Sequence, residues 1–181
     1  MSRADEAVAA ALALLETEGE DAVTMRRVAE RVGVRAPSLY KHVAGRDDLI
    51  AALQAEGLRA MGAAFREALA DSPPEESPLA ALARGYRELA RRRPALYRVT
   101  TGQRLLRMRL PPGLEDEVGG ALAAALGGDG DLARAAWAFA HGMADLELNA
   151  RFPDGADLDR AWQIGVRALD AAAARRARAA R

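Results

Sequence analysis

Apolar residues recur at intervals of three and four along most of this chain, and the strict alternation typical of strands is absent from the sequence. Residues 4–18 carry Val8, Leu12 and Leu15 on one predicted stripe. The further amphipathic segments are separated by breaks containing Gly or Pro, and they span 47–70, 79–93, 94–101, 114–126, 131–151 and 158–174. With two short helices inside residues 24–43, the pattern predicts an all-α fold of about nine helices.

The last third of the chain contains a glycine-rich break, GGDG at 127–130. It has no further oxygen ligands at metal spacing and follows a helix, so a plain turn is favoured over a calcium or phosphate loop. Asp131 is expected to cap the next helix. The inward face of that helix is predicted to carry Leu132, Ala136, Phe139, Met143 and Leu146. The basic tail beyond residue 170 is expected to be frayed and solvated, with a DNA contact as the alternative.

Residues 24–43 have the pattern of two short helices joined by a tight turn. Thr24 is a good N-cap for the first helix, and Gly33 is placed to end it in a left-handed conformation. Pro37 stands just inside the second helix, predicted over 36–43, where its missing N–H costs nothing. Leu39 and Val43 are expected to face the core. Such a pair is a helix-turn-helix, whose second helix can enter a major groove.

The charge of the chain from Thr24 to Arg46 supports the same interpretation. One acid, Glu30, stands against six cations, which are Arg26, Arg27, Arg31, Arg35, Lys41 and Arg46. The local net charge is therefore +5, whereas the whole chain has 26 cations and 26 acids. A basic island on a neutral protein is the electrostatic pattern of phosphate binding.

Composition narrows the class further. The chain has no Cys and few aromatic residues, so disulfides, thiolate metal sites and thiol nucleophiles are excluded. Clustered His and carboxylates at metal spacing are also lacking, and no cofactor is expected. No apolar run reaches membrane-spanning length, and Asp5 and Glu6 stand where a signal peptide would be basic. We expect a soluble cytoplasmic protein that is not an enzyme.

The candidate DNA contacts lie in and beside the two short helices, and several carry a structural alternative. Thr24 is either a phosphate ligand or an N-cap alone, and both roles are compatible. Tyr40 is expected to offer its hydroxyl to a phosphate, with pure packing as the alternative, and His42 contacts a phosphate or caps its helix. The full set is Thr24, Arg26, Arg35, Ala36, Pro37, Ser38, Tyr40, Lys41, His42 and Arg46.

These residues resemble the DNA-binding region of the TetR family of transcriptional repressors. The resemblance covers residues 4 to about 61 and implies a DNA-binding domain over 1–61 and a regulatory domain over 62–181. Its first half rests on Thr24, Met25, Arg26, Val28, Ala29, Val32, Gly33 and Val34. Its second half rests on Pro37, Ser38, Leu39, Tyr40, His42, Val43, Arg46, Asp47 and Leu49, with Arg46 where many members have Lys.

The remainder resembles one C-terminal class of that family, the WHG class, through Trp137, His141 and Gly142 and through the segment 86–102. The resemblance implies a homodimer built on the last two long helices, a small-molecule pocket, and release of operator DNA when an effector binds. A dimer presents two helix-turn-helix units roughly 34–36 Å apart and requires a near-palindromic site.

Candidate residues for these roles follow from helix faces and from the resemblance. The predicted pocket consists of Tyr86, Tyr97, Met108, Trp137 and His141, with an ordinary buried core as the alternative for Trp137 and His141. The predicted dimer interface consists of Phe139, Met143, Leu146, Trp162, Val166 and Leu169. Two other hypotheses stay open: a small-molecule enzyme on a helical scaffold, and a DNA-binding scaffold protein without an effector.

Overall fold

A computed structural model describes residues 2–179, and every regular element in that range is helical. The nine α-helices are α1 (Arg3–Glu18), α2 (Met25–Val32), α3 (Ala36–Leu39), α4 (Arg46–Ala70), α5 (Pro78–Arg92), α6 (Pro94–Thr101), α7 (Leu114–Ala125), α8 (Gly130–Leu148) and α9 (Leu158–Ala179). Two 3₁₀ turns lie at Glu20–Ala22 and Arg107–Arg109. The all-α prediction is confirmed for these residues.

The chain forms two compact units. The first contains the residues up to Arg59 together with Arg93–Leu114, and the second contains Ala60–Arg92 and the residues from Glu115 onward. Helix α4 contributes its first part to one unit and its second part to the other. The predicted division after residue 61 stays a prediction, and the packing of the chain adds that the segment 93–114 belongs with the helix-turn-helix.

Helix α1 is the brace of the first unit, packing on α2 and α6. Its buried residues are Ala7, Ala10, Ala11, Leu14 and Leu15, whereas Val8 and Leu12 are only half-buried. The predicted stripe through Val8 and Leu12 was therefore rotated from the true inward face. Alanines form much of that face, and their small side chains let neighbouring helices approach closely, a property that a search for large apolar residues does not detect.

A buried amide attaches the segment 93–114 to α4. Gln54 is fully buried, and its Nε2 donates to the carbonyls of Val99 (3.2 Å) and Arg104 (3.1 Å). Its Oε1 accepts from the amide of Leu106 at 2.9 Å. Three backbone groups in and beyond the end of α6 are thus paired by one side chain, which is how an irregular segment can be held without unsatisfied polar groups.

The second unit contains a three-helix arrangement in which α5, α8 and α9 pack against one another. The buried positions of α8 are Ala133, Ala136, Ala140 and Ala144. The predicted inward face is therefore wrong except at Ala136. Leu132, Phe139 and Met143 are half-buried and Leu146 is exposed, because the small alanines occupy the close helix contacts and the large residues lie beside them.

Local ends of helices differ from expectation at two places. Asp129, not Asp131, caps α8, because its Oδ1 accepts from the amides of Asp131 and Leu132 at 3.0 Å each. The tail is helical to Ala179 instead of frayed, and the last two residues lie outside the described range. GGDG is a turn, as expected, with Gly127 and Gly128 at positive φ.

None of the described helices is long and apolar enough to cross a membrane.

Candidate nucleic-acid interface and helical cavity

The first helix of the motif is bounded as its sequence indicates. Thr24 Oγ1 accepts from the amide of Arg27 at 3.3 Å, which satisfies one of the unpaired donors of the first turn of α2. Gly33 ends the helix at φ +77°, a left-handed conformation that favours glycine, and the amide of Val34 bonds back to Ala29 at 2.9 Å. These caps set the angle at which the chain enters α3.

Helix α3 is shorter than predicted, since regular helix ends at Leu39 instead of reaching Val43. Hydrogen-bonded turns continue the coil, with the amides of His42 and Val43 bonding to the carbonyl of Leu39 at 2.9 and 3.0 Å. Leu39 and Val43 are buried and anchor this segment from below. The predicted orientation of both residues is confirmed.

The opposite face of α3 and its following turn is exposed. Ser38, Lys41 and His42 are all exposed, and Tyr40 leaves 53% of its surface in solvent. A tyrosine in this position is not part of the buried core, and its hydroxyl is not in a buried hydrogen bond. The exposed residues of this face provide hydroxyl, amine and imidazole groups, the donor types that contact phosphates and base edges.

The cations around this face fall into two groups. Arg31, Arg35 and Lys41 have no ion-pair partner among the residues the structure describes. Three others contact acids: Arg26 with Glu30 at 3.8 Å, Arg27 with Glu18 at 2.7 Å, and Arg46 with Glu20 at 3.0 Å. These pairs are solvent-exposed and individually weak, so the guanidinium groups can exchange an acid for a phosphate at small cost.

The structure brings three of the five predicted pocket residues together, all in the second unit. Tyr86 is buried on α5, and its hydroxyl lies 3.5 Å from His141 Nδ1 on α8. Trp137 stacks on His141 with ring centroids 5.6 Å apart. Tyr97 and Met108 belong to the first unit, so they are not part of this cluster.

A small apolar cavity of about 10 Å³ lies beside this cluster. Helices α4, α5, α7, α8 and α9 all contribute to its wall. The lining residues are Phe65, Leu79, Leu82, Ala83, Tyr86, Leu122, Ala136, Trp137, Phe139, Ala140, Val166 and Leu169. The wall contains no charged side chain. Trp137 is the exposed element of this wall, with 44% of its surface in solvent.

An ion-pair network centred on Arg87 of α5 was not predicted from the sequence. Arg87 makes a two-point contact with Glu147 (2.9 and 3.1 Å), and Trp162 Nε1 donates to the same carboxylate at 3.2 Å. Arg87 and Glu147 are only 18% and 14% exposed. Burial by itself raises the pKa of the Glu147 carboxyl, but the bonds from Arg87 and Trp162 outweigh it, and the pKa lies below its ordinary value. This network joins α5, α8 and α9.

The predicted dimer-interface residues occupy mixed positions. Trp162 and Val166 are buried within one chain, and Trp162 takes part in the network above. Phe139, Met143 and Leu169 are half-buried, and Leu146 is exposed. On α9, Ile164 is the most exposed large apolar residue, and it was not among the predicted ones. The interface stays a prediction.

Within residues 2–179 the structure contains no group of three or more His, Cys or carboxylate residues able to hold a metal ion. The functional features of the described chain are therefore a basic helix-turn-helix surface and a helical unit with a small apolar cavity. Together they define a helix-turn-helix protein with an additional all-helical unit.

Comparison with known proteins identifies the group. The family model "Bacterial regulatory proteins, tetR family" matches residues 7–53, and "Tetracyclin repressor-like, C-terminal domain" matches residues 79–169. The chain belongs to the TetR family of transcriptional regulators, whose N-terminal domain binds DNA through its helix-turn-helix. Comparison with curated protein sequences gave no match.

Three solved structures illustrate the similarity in fold. The transcriptional regulator SCO7222, a TetR from Streptomyces coelicolor, is 20% identical with a TM-score of 0.69, covering 96% of this chain and 97% of that one. A TetR variant from Acinetobacter baumannii AYE in complex with minocycline is 24% identical (TM-score 0.67; 97% of each chain). The multidrug binding protein EbrR, complexed with imidazole, is 23% identical (TM-score 0.67; 92% of this chain and 94% of that one).

Proposed function

We propose that this regulator is a homodimeric repressor that binds a near-palindromic operator and leaves it when a small molecule enters the second unit. The observation that carries the DNA-binding mode is the exposed face of α3. Tyr40 and Lys41 are exposed there, while Leu39 and Val43 hold the same segment to the core. A segment whose buried face is fixed to the core and whose exposed face carries polar groups is suited to binding in a major groove.

Each contact has a role in this proposal. Thr24 and Arg26 at the start of α2 bind a phosphate, and Tyr40, Lys41 and His42 bind the backbone beside the groove. Arg35 and Ser38 are nearest the base edges, where an Arg can pair with a guanine through two hydrogen bonds. Ala36 and Pro37 allow close approach of the helix start, and Arg46 binds a flanking phosphate.

The helix-turn-helix surface of one protomer has few cations, and non-specific affinity for DNA grows with the number of phosphates neutralised. A dimer doubles that number and fixes two half-sites roughly 34–36 Å apart. We propose that α8 and α9 form the interface, since Leu146 and Ile164 leave apolar surface exposed on them.

The effector is proposed to enter the cavity beside Tyr86, Trp137 and His141. A space of about 10 Å³ does not hold a drug-sized molecule, so binding must displace part of the wall. Trp137 is half-exposed and stacks on His141, so it is the element of the wall that can move. We expect an uncharged, mainly apolar effector that uses Tyr86 or His141 for one hydrogen bond. Similar chains in complex with minocycline and imidazole support a ligand site in this fold.

The C-terminal class is part of the proposal. Trp137, His141 and Gly142 match the WHG pattern, and the stacked pair supplies a physical reason for the first two residues. The one-turn spacing on α8 lets the indole cover the imidazole and hold it towards Tyr86.

Selection of duplex DNA from a random library with the full-length protein tests this function. The expected result is enrichment of one inverted repeat whose half-sites are centred about one helical turn apart, roughly 10 base pairs. Sedimentation of the bound complex should give two protomers per duplex. Enrichment of no sequence, or of a single half-site bound by one protomer, would contradict the proposal.

A further inference from the structure

The segment that follows α5 carries an unusual charge distribution. Residues 93–114 contain five arginines and no acid. They lie in the same compact unit as the helix-turn-helix. Residues 1–59 alone contain eight cations and ten acids, so this segment changes the net charge of the unit from −2 to +3. The helix-turn-helix unit is basic overall only because of these arginines.

The segment lies beside the turn that leads out of α3. Glu20 accepts from Arg46 at 3.0 Å and from Gln103 Nε2 at 3.4 Å, so one carboxylate connects both regions. Asp48 makes a second link, because its Oδ1 pairs with Arg109 and its Oδ2 accepts from the amide of Ala44 at 2.9 Å. A single carboxylate therefore links Gln103 to Arg46, and another links Arg109 to Ala44.

The arginines beyond the end of α6 are exposed, while the backbone that carries them is held by hydrogen bonds. Arg104, Arg107 and Arg109 are exposed, and Met108 leaves 98% of its surface in solvent. The backbone of the same segment is held in place by Gln54. A fixed backbone with exposed arginines is a preorganised surface, since little conformational freedom of the main chain is given up on binding.

We propose that Arg104, Arg107 and Arg109 form a second phosphate-binding surface that contacts the DNA backbone flanking the site held by α3. The proposal rests on the proposed function, because it requires the helix-turn-helix to bind duplex DNA. Phosphates of one strand follow each other every 3.4 Å along the axis, so a backbone held at Arg46 continues past neighbouring cations. The surface adds affinity without sequence preference, because arginine contacts to phosphate read no bases.

The test compares the salt dependence of DNA binding for two matched double variants. Arg104→Gln/Arg107→Gln removes two of the proposed phosphate ligands and leaves Arg109 with Asp48. Arg151→Gln/Arg160→Gln, at exposed positions of the second unit, removes the same charge elsewhere. The probes are a 40-base-pair duplex carrying the sequence selected by wild type and a scrambled duplex of equal length. Thermal unfolding of each variant checks that the fold is kept.

The expected result is a lower affinity of the first variant for both duplexes by a similar factor. The slope of log K against log salt should become shallower by roughly 0.9 for each phosphate that the variant no longer neutralises. The second variant should match wild type. An unchanged slope and affinity in the first variant, while wild type binds normally, would overturn this inference and leave the proposed function intact. Failure of wild type to bind either duplex would overturn both.

Discussion

The buried amide of Gln54 offers a direct test of how the first unit is held together. We expect Gln54→Met to destabilise the protein although the side chain keeps a similar length and volume. The substitution leaves the carbonyls of Val99 and Arg104 and the amide of Leu106 without the partner they have now. A buried backbone group left unpaired costs about 1–3 kcal/mol.

The magnitude follows from the surroundings of the three groups. The carbonyl of Val99 also accepts from Gln103 Nε2 at 3.4 Å and therefore keeps one partner. The groups of Arg104 and Leu106 are partly buried, so water can replace their bonds in part. We therefore count these two groups at the lower end and expect a decrease of about 2 kcal/mol in the free energy of unfolding. Denaturant titration measures it, and hydrogen exchange at the amide of Leu106 shows whether the destabilisation is located there.

A matched change at a surface glutamine provides the control. Gln163 on α9 is exposed and accepts a bond from Arg167 at 3.1 Å, so Gln163→Met should change the free energy of unfolding by less than about 0.5 kcal/mol. If Gln54→Met proved as mild as Gln163→Met, or if the amide of Leu106 kept its protection, the account of how residues 99–106 are held would be refuted.

Three further predictions concern stability. A Cβ on Gly57 would lie 1.8 Å from Thr100 Oγ1, so Gly57→Ala should lower the free energy of unfolding by about 1–3 kcal/mol, whereas Gly119→Ala, with open space, should raise it by up to about 1 kcal/mol; equal effects in denaturant titrations would contradict the close approach of α4 and α6. Thr24→Ala should lower the free energy of unfolding by about 1 kcal/mol because the N-cap is removed, as measured by circular dichroism during urea unfolding; an unchanged value would contradict the role of this cap. Because the pKa of Glu147 is lowered in the folded state, its contribution is present above the ordinary value near 4.5 and is lost as pH falls below it. Glu147→Gln should therefore be about 2 kcal/mol less stable than wild type at pH 7, and the difference in stability should shrink as the pH falls progressively below 4.5. A difference that did not depend on pH would count against the network.

The features that sequence predicted well are those with local causes. The caps at Thr24 and Gly33 act on backbone groups three to five residues away. Leu39 and Val43 are four positions apart, so they lie on the same face of the segment. These signals need no knowledge of the partner surface. The same locality explains the confirmed α6, since Pro94 can begin a helix and Gly102 can end one.

The errors share a different cause. On α1 and α8 the buried faces are rich in alanine, and the choice between a small residue and a large one is made by the distance to the next helix. That distance is a tertiary property. Regular helix in α3 ends at Leu39, and hydrogen-bonded turns carry the segment on to Val43.

Non-local contacts account for the rest. Gln54 bonds to groups 45 to 52 positions away, so nothing near it indicates that 93–114 would join the first unit. Tyr86 and His141 are 55 positions apart, and only the resemblance suggested their shared cavity. Tyr97 and Met108, predicted with them, lie in the other unit because Gln54 holds their segment there.

DNA binding through the exposed face of α3 is tested by the affinity of a Tyr40→Ala/Lys41→Ala variant for the operator selected by wild type, measured by fluorescence anisotropy at fixed salt. Both side chains are exposed and neither belongs to the buried core, so the melting temperature should stay close to that of wild type. We expect an affinity at least about tenfold weaker, which corresponds to ~1.4 kcal/mol. An unchanged affinity in a folded double variant would contradict DNA binding through this face of α3.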